Sequence, residues 1–161
     1  RIEPETPMSK SLTRVRKAID DLGLDAEVLN PGPSRTAVAA AEACGCALDQ
    51  IAKSMIFQGE SGQIYLFLTA GGNQLDLDRA SALTNDPLHR ADAATVRQVT
   101  GFAIGGVAPI GHLTPPQIFA DPRLAEFDTV YVAAGTPNHV FSVAPTALLT
   151  ACDATLAEFT T

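Results

Sequence analysis

Apolar residues at Leu12, Val15, Ile19 and Leu22 recur at the spacing of one helical face, and Gly23 stands where such a helix would stop. Thr36 precedes the alanine-rich run Ala37 to Cys44, which predicts a side-chain-capped helix closed by Gly45. Asp92 stands in the same relation to a helix from Ala93 to Val99, ended by Gly101, and Leu77 to Leu83 forms another. Of the Asp76 and Asp78 pair, Asp78 is expected to cap that helix, and Asp49 to cap a turn running through Ile51.

Strand-like runs occupy Ala26 to Leu29, Ser54 to Phe57, Ile64 to Leu68, Gln117 to Ala120, Val130 to Ala133 and Val140 to Val143. The second and third are joined by the turn-rich Gln58 to Gln63, which predicts a hairpin, and Gly71-Gly72-Asn73 forms a second turn. Pro145 falls in the first turn of a helix from Ala144 to Thr150, where its missing N–H costs nothing, and a short strand follows. Helices and strands alternate without the regular beat of a doubly wound sheet, and short turns between strands require antiparallel pairs. The expected fold is one compact mixed α/β (α+β) domain over residues 10–161. Residues 1–9, polar and carrying two prolines, are expected to be a flexible leader.

Composition narrows the classes. Hydrophobic residues make up 46% of the chain and charged ones 18%, which excludes intrinsic disorder. Its longest apolar runs, such as Ile64 to Leu68, fall far short of the roughly 20 residues of a membrane helix. The N-terminal stretch lacks the apolar core of a signal peptide. Eighteen acidic residues against 11 basic ones give a net charge of −7, which opposes a broad electrostatic grip on nucleic acid. Any polyanion has to be met locally. Cys44-Gly45-Cys46 is neither a redox nor a zinc spacing, and Cys152, His89, His112 and His139 are scattered. Free thiols in a reducing cytoplasm, with no metal and no cofactor, are expected.

Three features can carry chemistry. Lys53 is the one basic residue between Thr36 and Asp78, set between Ile51-Ala52 and Met55-Ile56-Phe57. It is either a surface lysine with its stem on the core or an ammonium at a pocket rim, suited to phosphate or carboxylate. The run Gly101 to Gly111 places four glycines and a proline in an apolar stretch, as a bulged strand or as a loop that lets a ligand approach backbone N–H groups. Gly135-Thr136-Pro137-Asn138-His139 is a hairpin turn that can also present His139 to a ligand. No local triad signature accompanies them.

The order of these segments resembles the YbaK/EbsC/ProX-like domain, also called the aminoacyl-tRNA-synthetase-associated or prolyl-tRNA-editing domain. Five segments carry the resemblance in family order: Thr36 to Ala41 with Gln50 to Phe57, then Leu75-Asp76-Leu77, Thr100 to Gly111, Ala134 to His139, and the helix Pro145 to Leu149. The resemblance covers about Leu12 to the C-terminus. It implies a mixed, mainly antiparallel curved sheet surrounded by helices. It further implies a trans-editing deacylase that hydrolyses the ester between a wrong amino acid and the terminal adenosine of mischarged tRNA. Water would attack with help from the substrate's ribose hydroxyl. Lys53 would engage the terminal phosphate-sugar end, and Gly105, Gly106, Val107, Ala108 and Pro109 would hold the aminoacyl group, with Gly135 and His139 beside it. The implied partner is mischarged tRNA; the net charge of −7 points to contact mainly with its acceptor end, or to delivery by an aminoacyl-tRNA synthetase. A non-catalytic tRNA- or synthetase-binding module, or a binder of small aminoacyl esters, is the alternative.

Overall fold

The computed structural model of the chain describes residues 7–161, so residues 1–6 of the expected leader lie outside the described residues. The first helix, α1, spans Pro7–Leu22 and therefore starts inside the range expected to be leader. Its Val15 and Ile19 are buried, as the spacing requires, and Gly23 at φ +66 follows it. Helix α2 (Ala37–Cys44) is capped by Thr36, whose side chain accepts from the Ala39 N–H, and closed by left-handed Gly45. Helices α3 (Leu77–Thr84), α4 (Ala93–Thr100) and α5 (Pro145–Ala151) also fall within a residue or two of expectation.

The cap of α3 is a correction. Asp76, not Asp78, is extended at φ −95 and ψ 113, and its carboxylate accepts from the N–H groups of Asp78 and Arg79. Asp78 already lies in the helix's first turn, where a side chain cannot reach forward to those donors. Asp49 is a second correction. It sits inside a short 3-10 turn, Leu48–Gln50, whose cap position is Ala47, and its carboxylate turns to Gly72 and Arg123 instead.

Eight strands form one sheet: β1 (Glu27–Leu29), β2 (Ile51–Gly59), β3 (Ile64–Ala70), β4 (Leu88–Arg90), β5 (Gln117–Ala120), β6 (Val130–Ala133), β7 (Val140–Val143) and β8 (Thr155–Leu156). Their order is β1-β7-β6-β2-β3-β5-β8, with β4 also on β2. Four pairings are antiparallel, including the expected β2–β3 hairpin over seven residue pairs. The β2–β6, β3–β5 and β5–β8 pairings are parallel, so the sheet is mixed. Strand β2 begins three residues before the expected Ser54, because Ile51 and Ala52 pair with Tyr131 and Val132 of the distant β6. Short β4 carried no sequence signal of its own; it forms by pairing with the far end of β2.

Every residue of β3 is buried, as in a central strand covered on both faces. On one face Leu66 and Leu68 meet Val15, Val96, Phe102, Phe141 and Leu148. On the other, Phe67 packs with Phe57, Tyr65, Phe119, Phe159 and Ala80. The apolar run Phe102 to Ile110 forms no strand. Gly101, Gly105 and Gly111 have φ of +84, +96 and +79, and Pro109 has no N–H to give a ladder, so the chain folds there as an irregular loop. That loop is tied to α1 by Arg14, which donates to the Gly101 carbonyl at 3.1 Å and lies over the Phe102 ring.

Candidate active site

A gap in the sheet opens a cavity beside β2. Strand β6 pairs with β2 only at Ile51 and Ala52, and β4 pairs with it only from Phe57 onward. Lys53, Ser54 and Met55 between them have no strand partner on that side. A pocket of about 490 Å³ opens there, of the size that holds small ligands. Its apolar wall comes from Ala37 and Ala40 of α2, Ile51, Val107, Ala133 and Val140. Its polar rim is Lys53, Arg35, Thr36, Ser54, Tyr131, Thr136 and His139.

Among the described residues no carboxylate lines this pocket, although the chain as a whole carries −7. Two basic side chains among them, Lys53 and the exposed Arg35, do. The site is therefore a local basic patch on an acidic protein. Attraction for an anionic group is confined to it, since charges elsewhere on the surface are screened within about 10 Å at ordinary salt.

Lys53 is half-buried, and its Nζ donates to the Asn73 carbonyl at 2.7 Å. Burial pushes its ammonium below the ordinary lysine value, while the carboxylates of Asp121 and Asp49 act in the opposite sense. His139 sits on the β6–β7 turn, with Nδ1 2.6 Å from Thr136 Oγ1, and the Asn138 N–H donates to that same hydroxyl at 3.1 Å. Burial, aided by the charge of Arg16, lowers His139 below its ordinary value of 6.5. The imidazole is thus neutral at pH 7, available to give or take one hydrogen bond.

The glycine loop enters the pocket through Gly105 and Val107, with exposed Ile104 beside them. The N–H groups of Gly105 and Val107 carry no hydrogen bond among the described residues. A Cβ on Gly105 would meet nothing within 4 Å, so its glycine is required by φ +96 rather than by crowding. Gly106 is the crowded one: a Cβ there would lie 2.9 Å from the N, Cα and C atoms of Thr136. The loop and the His139 turn thus touch backbone to backbone.

Of the residues singled out by sequence, Lys53, Gly105, Val107 and His139 line the pocket. Gly106, Ala108 and Pro109 are buried behind it, and Gly135 turns toward α1, where a Cβ would meet the Ser11 carbonyl at 2.8 Å. His112 braces the loop from below, its Nε2 2.6 Å from the Ala108 carbonyl. Sequence reasoning passed over Arg35, Ser54, Tyr131 and Thr136. Ser54 carries a buried Oγ with no partner among the described residues, a feature no linear motif announces.

None of the cysteines lines the pocket, and all three thiols are free. Burial pushes each of them up, Cys152 to about 11, so none is a ready thiolate at neutral pH. The described residues contain no group of three His, Cys, Asp or Glu side chains placed to hold a metal ion. No helix among them is long and apolar enough to cross a membrane.

A mixed-sheet α/β domain with a single-strand gap, a glycine loop and a cationic rim defines a small-ligand pocket, with the ligand held between backbone and a few polar side chains. The aminoacyl-tRNA editing domain family matches residues 32–151, and the chain belongs to that family. A protein of Bacillus subtilis called YwhH, itself uncharacterised, is 34% identical over 112 residues, 70% of this chain and 71% of its own length. EbsC of Enterococcus faecalis, named as a proposed Cys-tRNA(Pro)/Cys-tRNA(Cys) deacylase, is 25% identical over 78% of this chain and 77% of its own. A crystal structure of a proposed trans-editing enzyme for prolyl tRNA synthetase superposes with a TM-score of 0.89 at 40% identity, covering 100% of this chain and 99% of that one.

Proposed function

We propose that the protein is an aminoacyl-tRNA deacylase acting in trans, which hydrolyses the ester joining a wrong amino acid to the terminal adenosine of tRNA. The observation that carries this reading is the placement of Lys53 and Arg35 on the rim of a pocket that no carboxylate among the described residues lines, in a chain of net charge −7. Such a site takes an anionic end and refuses a long anionic duplex, which fits contact with the acceptor end alone. Family membership and the deacylase and trans-editing relatives support the same chemistry.

In this reading the aminoacyl group lies on the apolar wall of Ala40, Ile51, Val107 and Val140. Lys53 meets the terminal phosphate-sugar end. A water molecule, helped by the neighbouring ribose hydroxyl, attacks the ester carbonyl. The carbon–oxygen bond to the ribose then breaks, and the water's proton ends on the ribose oxygen. The N–H groups of Gly105 and Val107, which have no partner among the described residues, are candidates to receive the negative charge that develops on the carbonyl oxygen, a role in which backbone donors lower such barriers without a protein nucleophile. An aminoacyl-tRNA synthetase that hands over the mischarged end would supply the affinity that a broad basic face supplies elsewhere.

The test is release of free amino acid from a panel of mischarged tRNAs by the wild-type chain and by Lys53→Ala. The variant is expected to lose at least about tenfold in rate, or 1.4 kcal/mol of transition-state stabilisation, with little change in melting temperature. Turnover at the wild-type rate in Lys53→Ala refutes the assignment. Binding of tRNA without any release of amino acid would instead make the domain a recognition module.

A further inference from the structure

The Lys53 ammonium is held in place at the end of its flexible stem. The Asn73 carbonyl that accepts from Nζ at 2.7 Å belongs to the Gly71-Gly72-Asn73 turn after β3, and that turn is clamped from two sides. Asn73 Nδ2 donates to Asp121 Oδ2 at 2.8 Å, and the same oxygen accepts the Ala70 N–H at 3.1 Å. Asp121 Oδ1 accepts the Arg123 N–H at 3.0 Å. On the other side the Gly72 N–H donates to Asp49 Oδ1 at 2.8 Å, while Asp49 Oδ2 takes Arg123 Nε at 3.0 Å.

Asp121 is only 3% exposed, and a buried carboxylate is costly unless its lone pairs are met. Closing the strand end requires only its bond to Ala70, and capping the following 3-10 turn only its bond to Arg123. The bond to the Asn73 side chain serves neither end. It fixes the one residue whose carbonyl receives the lysine. The turn's own bond, from the Asn73 N–H to the Ala70 carbonyl at 2.9 Å, ties that residue on one side, and the bond from its side chain to Asp121 adds a second tie beside two adjacent glycines.

We propose that Asp121 and Asn73 are positioning residues for Lys53: by fixing the Asn73 carbonyl they hold the ammonium at the polar rim of the pocket, where the phosphate-sugar end of the substrate arrives. This rests on the deacylase reading above. The charged groups facing the ammonium are Asp121 and Asp49, both of which raise its pKa against the effect of burial. Arg123 is engaged with Asp49 and Glu126 and does not compete for the site.

The experiment combines single-turnover deacylation with NMR titration of the Lys53 Cε resonance in lysine-labelled protein. Asn73→Ala and Asp121→Asn are each expected to slow deacylation by about tenfold. In the Lys53→Ala background, Asn73→Ala is expected to add nothing, since a residue that acts through the lysine has no effect without it. The Lys53 titration midpoint is expected to fall in Asp121→Asn, because a carboxylate that favoured the charged form is gone. A wild-type rate in Asn73→Ala, an equal loss with and without Lys53, or an unmoved Lys53 midpoint would each overturn the proposal. If Asp121→Asn does not fold, Asn73→Ala, at a partly exposed position, carries both measurements, its midpoint also expected to fall as the carbonyl contact loosens. If the wild-type protein deacylates nothing, the functional reading falls, and the titration by itself decides whether this pair controls the lysine.

Discussion

Gly105→Ala separates a loop that holds substrate from a loop that merely turns a corner. The backbone at Gly105 has φ +96, outside the regions open to residues with a Cβ, so the substitution carries a conformational penalty of about 1–3 kcal/mol. Crowding adds nothing, because the new methyl meets no atom within 4 Å. For a domain of this size each kcal/mol lowers the melting temperature by roughly 2–4 °C, so a fall of about 2–12 °C is expected. The methyl would enter open space at a residue that lines the pocket. If the aminoacyl group occupies it, the single-turnover rate per folded molecule should fall as well, by about tenfold or more.

Gly106→Ala is the companion variant. Its methyl would press to 2.9 Å on the Thr136 backbone, which cannot rotate away as a flexible side chain would, at an overpacking cost of about 1–3 kcal/mol. Rate loss there would come through displacement of the His139 turn. Thermal melts and single-turnover assays on the same preparations decide between the readings. A destabilised Gly105→Ala protein that keeps its full rate per folded molecule would refute the placement of substrate against this loop and leave it as architecture.

Asp76→Ala removes the cap of α3 and is expected to cost about 1 kcal/mol in chemical denaturation, whereas Asp78→Ala should be close to neutral; equal effects would contradict the cap assignment. Dialysis against a chelator is expected to leave deacylation unchanged, as no three ligating side chains converge among the described residues; activity lost and then restored by zinc would overturn this. His112 is held below its ordinary pKa of 6.5, chiefly by burial. Below pH 6.5 the unfolded chain therefore binds a proton that the folded one refuses, and stability is lost as pH falls from there toward the lower folded value. Urea denaturation between about pH 7.5 and about pH 5 should show a shallower decline in His112→Gln than in the wild type, and parallel curves would show that His112 does not contribute.

Local signals decided local structure. Thr36 and Asp92 cap the helices they precede, and Gly23, Gly45 and Gly101 close helices with positive φ, because caps and left-handed stops depend on contacts within a few residues. The β2–β3 hairpin followed from alternation and a turn for the same reason. Where two neighbouring residues competed for one role, as at Asp76 and Asp78, sequence favoured the wrong one, since the choice depends on which backbone is still extended.

The candidate site was legible as residues but not as a place. Lys53 stood out by isolation and His139 by its turn, yet the distance between them along the chain says nothing of the pocket they share. That pocket exists because β6 and β4 pair with different ends of β2, a long-range choice made by the whole sheet. Likewise Arg35 and Thr136 joined the site, and Gly135 left it, through packing of segments far apart in sequence. The clamp that joins Asp121, Asn73 and Lys53 spans three separate strand ends. Periodicity and turn chemistry act over a few residues and fix elements; the register and pairing of those elements, settled only by burying both faces of β3 at once, fix which side chains meet.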